Sequence, residues 1–370
     1  MSSQLAEAFP VGEFLAEELE ARDWSRADFA AILGRPTQFV SEIITGKKEV
    51  TRESATQIGA ALGTSPEYWL NLQNAYLLWK RGQDPEGRAN IDDVRRRARL
   101  NELAPVSVLR KRGILRGGSL DELEAEILEL FGMVDLKADP GFLAAARRTN
   151  RTQDVTPTQK AWLACARRAA AELPAAAFDR EALMKLAAQV SCLVADPEGF
   201  KALQARYAEV GVRLVYVEAL PGSRLDGAAF HADDGVPTIA LSGRGHRLDK
   251  VLFVLLHETA HVALGHVTRD ATFIDEGDDG EDPKERHADE QAVRWALPHG
   301  VSSPPAQVRA PWLHAEATRN RVHPVVVLGH LQARGALSWG SALSKGAPTV
   351  THTLATWDSA VVPLHEVRSS

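Results

Sequence analysis

Residues 251–266 read VLFVLLHETAHVALGH, and no other stretch restricts the chain as much. An apolar run from Val251 to Leu256, free of Gly and Pro, leads into His257-Glu258-Thr259-Ala260-His261. The run is too short to span a bilayer, so it reads as a buried element. On a helix, His257 and His261 stand at i and i+4 on one face. Two imidazoles so placed both reach one Zn2+ at about 2.0–2.1 Å. Glu258 lies one position round, beside such a metal, where it can take a proton from the metal-bound water. On a solvated helix the same pattern would be a polar face with no chemistry. Here the polar residues interrupt a strongly apolar element. Burying two imidazoles and a carboxylate without partners is costly, and a metal removes that cost.

A catalytic zinc usually has three protein ligands and a water. The extended pattern with a further His six positions after the second fails, because that position is Val267. His266 would point about 140° away on a continuing helix. Gly265 can end the helix and redirect the chain, which keeps His266 a candidate. Another candidate lies in Asp282-Pro283-Lys284-Glu285-Arg286-His287-Ala288-Asp289. Asp282 suits an N-cap and Pro283 the first helical position. Glu285 and Asp289 then share one face, with Ala288 and Ala292 leaving room beside them. By spacing alone, Glu285 is equally well the partner of Asp282 in a capping box.

Together, HETAHVALGH and the later Glu285-x-x-Ala288-Asp289 resemble the ImmA/IrrE family of zinc metallopeptidases. The resemblance covers roughly residues 200–300 and rests on two separated motifs that agree in type and order. It implies Zn2+ held by His257, His261 and Glu285, with Glu258 as the base. It implies that Asp289 supports a ligand from behind. It also implies a small antiparallel sheet just before the HExxH helix, and a bacterial regulator that cuts a repressor or antitoxin.

The N-terminal part has a different character. Val11, Phe14, Leu15 and Leu19 form a helical stripe. Ser25 marks a helix start, with Trp24 and Phe29 placed as a hydrophobic staple. That helix ends near Gly34. Another runs from Thr37 to Ile44 and closes at Gly46. Thr51 and Ser65 cap two more. Two short helices joined by a tight turn suggest a helix-turn-helix. The segment LGRPTQFVSEIITGKKEVTRESATQIGAALGTSPEYWLNLQ resembles the HigA-type (Xre-like) DNA-binding domain. The resemblance implies that the Thr37–Ile44 helix enters the major groove. Thr37, Gln38, Ser41 and Glu42 would then be its exposed positions. Gln38 suits an adenine edge, and Lys47 and Lys48 suit phosphate. A five-helix protein-binding module competes, because acidic residues outnumber basic ones here and Glu42 would repel a phosphate backbone.

The net charge of −6 gives no support to generic nucleic-acid binding, so DNA contact must come from a local surface. No basic leader or long apolar run opens the chain, so neither a signal peptide nor a membrane span is read. With only Cys165 and Cys192, a reducing cytoplasm is expected, and both cysteines read as small core residues. Gly82 to Gly87 reads as a boundary. The basic run Arg95–Arg99 reads as a solvated face, with Asp92–Arg96 and Asp93–Arg97 pairs. Residues 119–200 read as Ala-rich helix with a loop near 150–157. A strand around Val212–Tyr216 precedes a hairpin turning at Asp233-Asp234-Gly235. The acidic loop from Asp270 to Asp282 reads as solvated, His323 and His330 as a packed pair, and residues 340–370 as loosely ordered.

The expected architecture is multi-domain and mainly α. It comprises a helix-turn-helix domain at 1–85, a helical middle at 86–200, an α+β zincin-like domain at 201–305, and a helical C-terminal segment at 306–370. The expected partners are an operator in double-stranded DNA, a protein substrate and a second copy of the chain, with no membrane. The alternative is a HigA-like repressor whose zincin-like domain is a sensor or scaffold.

Overall fold

The computed structural model describes residues 7–138, 140, 146–148, 155–268, 272–275 and 282–361, with backbone alone for 146–148 and 272–275. Most of the acidic loop, most of the loop near residue 150 and the last nine residues lie outside the described residues; within the acidic loop, Thr272–Asp275 form a strand of the sheet, which corrects the reading of that whole segment as a solvated loop. The chain divides into two compact units, Met1–Arg96 and Arg97–Ser370. The helical middle from Arg97 on, the α+β region and the C-terminal segment thus fall in one unit, while residues 86–96 go with the first.

The first unit holds α1 (Val11–Glu20), α2 (Arg26–Leu33), α3 (Thr37–Ile44), α4 (Arg52–Leu62) and α5 (Pro66–Gln83). Local chemistry sets each boundary. Ser25 and Asp28 close a capping box on α2, and Trp24 stacks on Phe29 with centroids 6.2 Å apart. Gly34 ends α2 in the left-handed conformation at φ 63°. Thr51 and Ser54 form the same kind of box on α4, and Ser65 caps α5. Leu15, Phe29, Val40, Ile43, Ile58 and Trp69 pack into one core. Gly12 lets α1 approach the end of α3, since a Cβ there would sit 2.4 Å from the Ile44 carbonyl oxygen. The expected boundary at Gly82–Gly87 is mostly helix: only Asp84 separates α5 from α6 (Pro85–Leu103). On α6, Asp92 pairs with Arg95 and Asp93 with Arg96, each three residues on.

The second unit continues through α7 (Val106–Lys111), α8 (Leu120–Phe131), β1 (Ala146–Arg148), α9 (Pro157–Ala171), α10 (Arg180–Leu193) and α11 (Leu203–Glu209). Next come β2 (Arg213–Tyr216), β3 (Gly227–His231), β4 (Pro237–Leu241), α12 (Leu248–Ala263) and β5 (Thr272–Asp275). It closes with α13 (Pro283–Ala296), α14 (Ala310–Asn320), α15 (Pro324–Ala333) and α16 (Thr351–Leu354). Among the described residues, no helix is long and apolar enough to cross a membrane.

The sheet corrects the expectation of a small antiparallel one. It has five strands in the order β1-β5-β3-β4-β2. The Asp233–Gly235 hairpin joins β3 to β4 in antiparallel register, and β3 is also antiparallel to β5. However, β2 pairs β4 in parallel and β1 pairs β5 in parallel. Side chains alternate across the sheet, as a period of two requires. Leu214, Tyr216, Ala229, Ile239 and Leu241 join the core on one face, with α10 to α16. Val215, Val217, Ala228, Phe230 and Ala240 join the core on the other, with α7, α8, α9 and the end of α6. The sheet is therefore a middle layer with helices on both sides.

Two further expectations fail. Residues 340–361 are not loose: Val350, Leu354 and Trp357 are buried, and the Trp357 indole donates to the Phe200 carbonyl at 3.0 Å. Of the cysteines, Cys165 is buried but Cys192 is exposed.

Candidate metal centre and helix-turn-helix face

The helix α12 carries His257, Glu258 and His261 through the interior, where all are buried. Its buried residues from Leu252 to Ala260 pack it over β3 and β4. The Tyr207 hydroxyl lies 2.9 Å from the Thr259 hydroxyl and adds a polar anchor between α11 and α12. Helix α13 starts as its sequence specifies, with Asp282 accepting from the Lys284 amide at 2.9 Å and Pro283 in the first turn. The Glu285 carboxylate reaches the imidazoles of α12.

The donor atoms converge. His257 Nε2 lies 3.1 Å from Glu285 Oε2, His261 Nε2 lies 3.3 Å from the same oxygen, and the two Nε2 atoms are 3.0 Å apart. Tetrahedral ligands at about 2.0–2.1 Å from a zinc ion would stand roughly 3.3 Å from one another. The observed triangle is close to that, and these residues are a group that could hold a metal ion. The outward nitrogens support the same geometry. His257 Nδ1 meets Asp289 Oδ1 at 2.8 Å, so it donates to the carboxylate and leaves its Nε2 lone pair facing inward. His261 Nδ1 meets His266 Nδ1 at 3.2 Å. Burial, followed by the nearby His261, His287 and Lys284, brings His266 down to about 4. A neutral His266 can accept from His261, which again turns a lone pair inward. Three inward-facing acceptors call for a cation, and the donor set suits zinc.

Sequence spacing alone left Glu285 between a capping box and a ligand. In the structure its carboxylate turns to the histidines, and Asp289 stands behind His257. His266 is placed behind His261 and outside the triangle. Gly265, at φ 72°, redirects the chain to bring it there. Arg244 and His246 lie before the N-terminus of α12. His257 is nine residues into that helix, roughly 14 Å along it.

Two features escaped the sequence reading. Gly227 on β3 faces α12, and a Cβ there would fall 2.7 Å from Val254 Cγ1 and 3.1 Å from Glu258 Oε1. A Gly inside a strand was the available signal. A cavity of about 550 Å3 also opens beside the histidine cluster, between α12, α13 and α15.

On α3, Thr37 and Gln38 are exposed, Ser41 and Glu42 half-buried, and Val40 and Ile43 buried. The Gln38 amide donates to Glu42 Oε1 at 2.8 Å, and Lys48 Nζ lies 3.4 Å from Glu42 Oε2. Glu42 is thus countered from both sides, and the Gln38 hydrogen bond holds its carboxyl below the usual range. Lys47 and Lys48 are exposed, and Lys48 sits 5.2 Å from the centre of the Phe39 ring.

Residues 15–69 match the family model described as Helix-turn-helix. Over 67 residues the chain is 36% identical to the uncharacterized HTH-type transcriptional regulator YddM of Escherichia coli, covering 18% of this chain and 71% of that protein. The chain belongs to the helix-turn-helix family of transcriptional regulators. More narrowly, its N-terminal domain is of the HigA/Xre type. It is 40% identical over 70 residues to Antitoxin HigA-1 of Vibrio cholerae, which covers 19% of this chain and 66% of that protein. A solved structure of an addiction module antidote protein of a HigA family from Coxiella burnetii is 34% identical, with a TM-score of 0.22, covering 24% of this chain and 94% of that one.

Proposed function

We propose that this protein is a cytoplasmic DNA-binding regulator that also hydrolyses a peptide bond in a partner repressor or antitoxin, with zinc as cofactor. One observation carries the peptidase reading: three buried donors, mutually 3.0–3.3 Å apart, stand next to the buried carboxylate of Glu258. His257, His261 and Glu285 would hold the ion. Bound zinc supplies acidity to a water and polarises a carbonyl. Glu258 takes a proton onto its carboxylate and returns it to the leaving amine. Asp289 and His266 fix the imidazole tautomers, and the dry surroundings strengthen every charge interaction.

The DNA-binding half rests on the family and on α3, whose Thr37, Gln38 and Ser41 face outward with Lys47 and Lys48 following. On an operator, Gln38 would exchange its bond to Glu42 for a base edge. A second reading keeps DNA binding but makes the histidine cluster a structural or sensing element. The likeness to Antitoxin HigA-1, confined to 70 residues, favours it.

Glu258→Gln separates the two. It keeps size and shape but cannot act as a base. The variant should fold, bind zinc and bind operator DNA as the parent does. Cleavage of the partner should fall roughly a hundredfold or more, the scale of a general base. If Glu258→Gln controls its target genes as the parent does, proteolysis is not the function and the second reading stands.

A further inference from the structure

The cavity beside the histidine cluster has two unlike ends. One face of α12 lines it from Lys250 through Phe253 to His257, about 10 Å along the helix. Its inner end carries His257, Glu285 and Asp289. Its walls are apolar, formed by Phe253, Val293, Val326 and Ala333 among others, with Trp339 at the rim. At 550 Å3 it lies in the range of sites that enclose a bound group. The outer end is cationic. Lys250 Nζ lies 2.6 Å from Asp226 Oδ2, but Arg244 also pairs with that carboxylate at 3.1 Å, so two cations share one anion. Arg334 lines the same end, exposed and without an ion-pair partner among the described residues. Asp249, also on the wall, is matched by Arg247 at 2.5 Å.

We infer that this cavity selects the peptide cut at the cluster. It takes a large apolar side chain next to the scissile bond and an acidic side chain within about three residues of it, held at Arg334 and Lys250. The inference rests on the peptidase reading. An extended chain advances about 3.3 Å per residue, so the 10 Å between the two ends spans about three residues. The apolar walls reward a Phe- or Leu-sized group, and the surplus positive charge at the mouth rewards a carboxylate over an amine.

The test is direct binding to the full-length Glu258→Gln chain, followed by fluorescence anisotropy of labelled, end-blocked peptides. The reference peptide is Ala-Ala-Phe-Ala-Glu; its controls replace Phe by Ala or Glu by Lys. The reference should bind, and each control should bind about tenfold or more weakly. Adding Arg334→Glu, at an exposed position, should shift the preference from the Glu peptide to the Lys peptide. Adding Ala333→Trp, which fills the wall from an exposed helix position, should erase the advantage of Phe over Ala. Circular dichroism melts confirm that the variants fold. The inference is overturned if the three peptides bind alike, if the reference peptide does not bind at about 1 mM, or if Arg334→Glu leaves the charge preference intact. The peptidase reading has a separate measure. If the parent chain cuts peptides without any such preference, the reading stands and the inference falls. If the charge swap succeeds but the parent chain cuts nothing, the cavity stands as a peptide site and the peptidase reading falls.

Discussion

Replacing Asp289 by Ala should weaken zinc binding without removing a ligand. The Asp289 carboxylate accepts from His257 Nδ1 at 2.8 Å and thereby keeps the His257 Nε2 lone pair pointed at Glu285 and His261. A hydrogen bond to a charged partner contributes about 1.5–3 kcal/mol when well shielded. The Asp289 side chain is 43% exposed, which places the loss near the lower end of that range. About 1.4 kcal/mol is a tenfold change in affinity, so Asp289→Ala should bind zinc about tenfold more weakly. Asp289→Asn keeps an acceptor oxygen but loses the charge, and should fall between the two. The assay is competition for Zn2+ against a chromophoric chelator at neutral pH, with Glu285→Ala as the variant expected to lose the ion. An Asp289→Ala affinity within about twofold of the parent would refute the argument that this carboxylate sets the His257 tautomer.

Other perturbations test the fold and the site's surroundings. Gly227→Ala pushes a methyl group against Val254 and Glu258, and should lower stability by about 1–3 kcal/mol in a denaturant melt; an unchanged midpoint would mean β3 and α12 pack less closely than described. Trp162→Ala should cost about 3–5 kcal/mol, because its buried indole fills the α9 side of the sheet and donates to the Val217 carbonyl at 2.7 Å. In the native protein Cys192 should react with a thiol reagent at pH 8 while Cys165 does not, since burial raises the Cys165 thiol to about 12. Equal labelling of both cysteines before unfolding would contradict that. Binding to operator DNA should weaken as salt rises; Lys47→Ala should weaken it on every sequence, and Gln38→Ala should blunt discrimination between sequences.

What could be read from the sequence followed the range of the interactions involved. The first unit was legible because Ser25, Thr51, Ser65 and Gly34 act within a few residues of themselves, and their caps stand where the pattern placed them. His257 and His261 were legible because a helix converts a spacing of four into a shared face. The sheet was not, since the parallel pairs β2–β4 and β1–β5 join segments that no local turn brings together. Both faces of β2 and β4 are covered, so every residue is buried and no alternation of polarity reveals them. The segment after residue 340 misled through composition, because a few apolar residues, Val350, Leu354 and Trp357, suffice to dock it. The part of His266 depends on the turn at Gly265, which a helical wheel cannot show.

The two cores on opposite faces of the sheet also bear on how this protein can be divided. Residues 201–305 contain the histidine cluster and four of the five strands but none of α8 or α9. Expressed as a cassette, that segment would present Val215, Val217, Ala228, Phe230 and Ala240 to water as one bare patch. The same arrangement makes a nick harmless. A protease that cuts between α9 and α10 would leave two fragments still clasped by the Trp162 bond to Val217 and by Arg112, which donates to the Ala219 carbonyl at 2.8 Å. Such fragments would migrate apart on a denaturing gel and together on a sizing column.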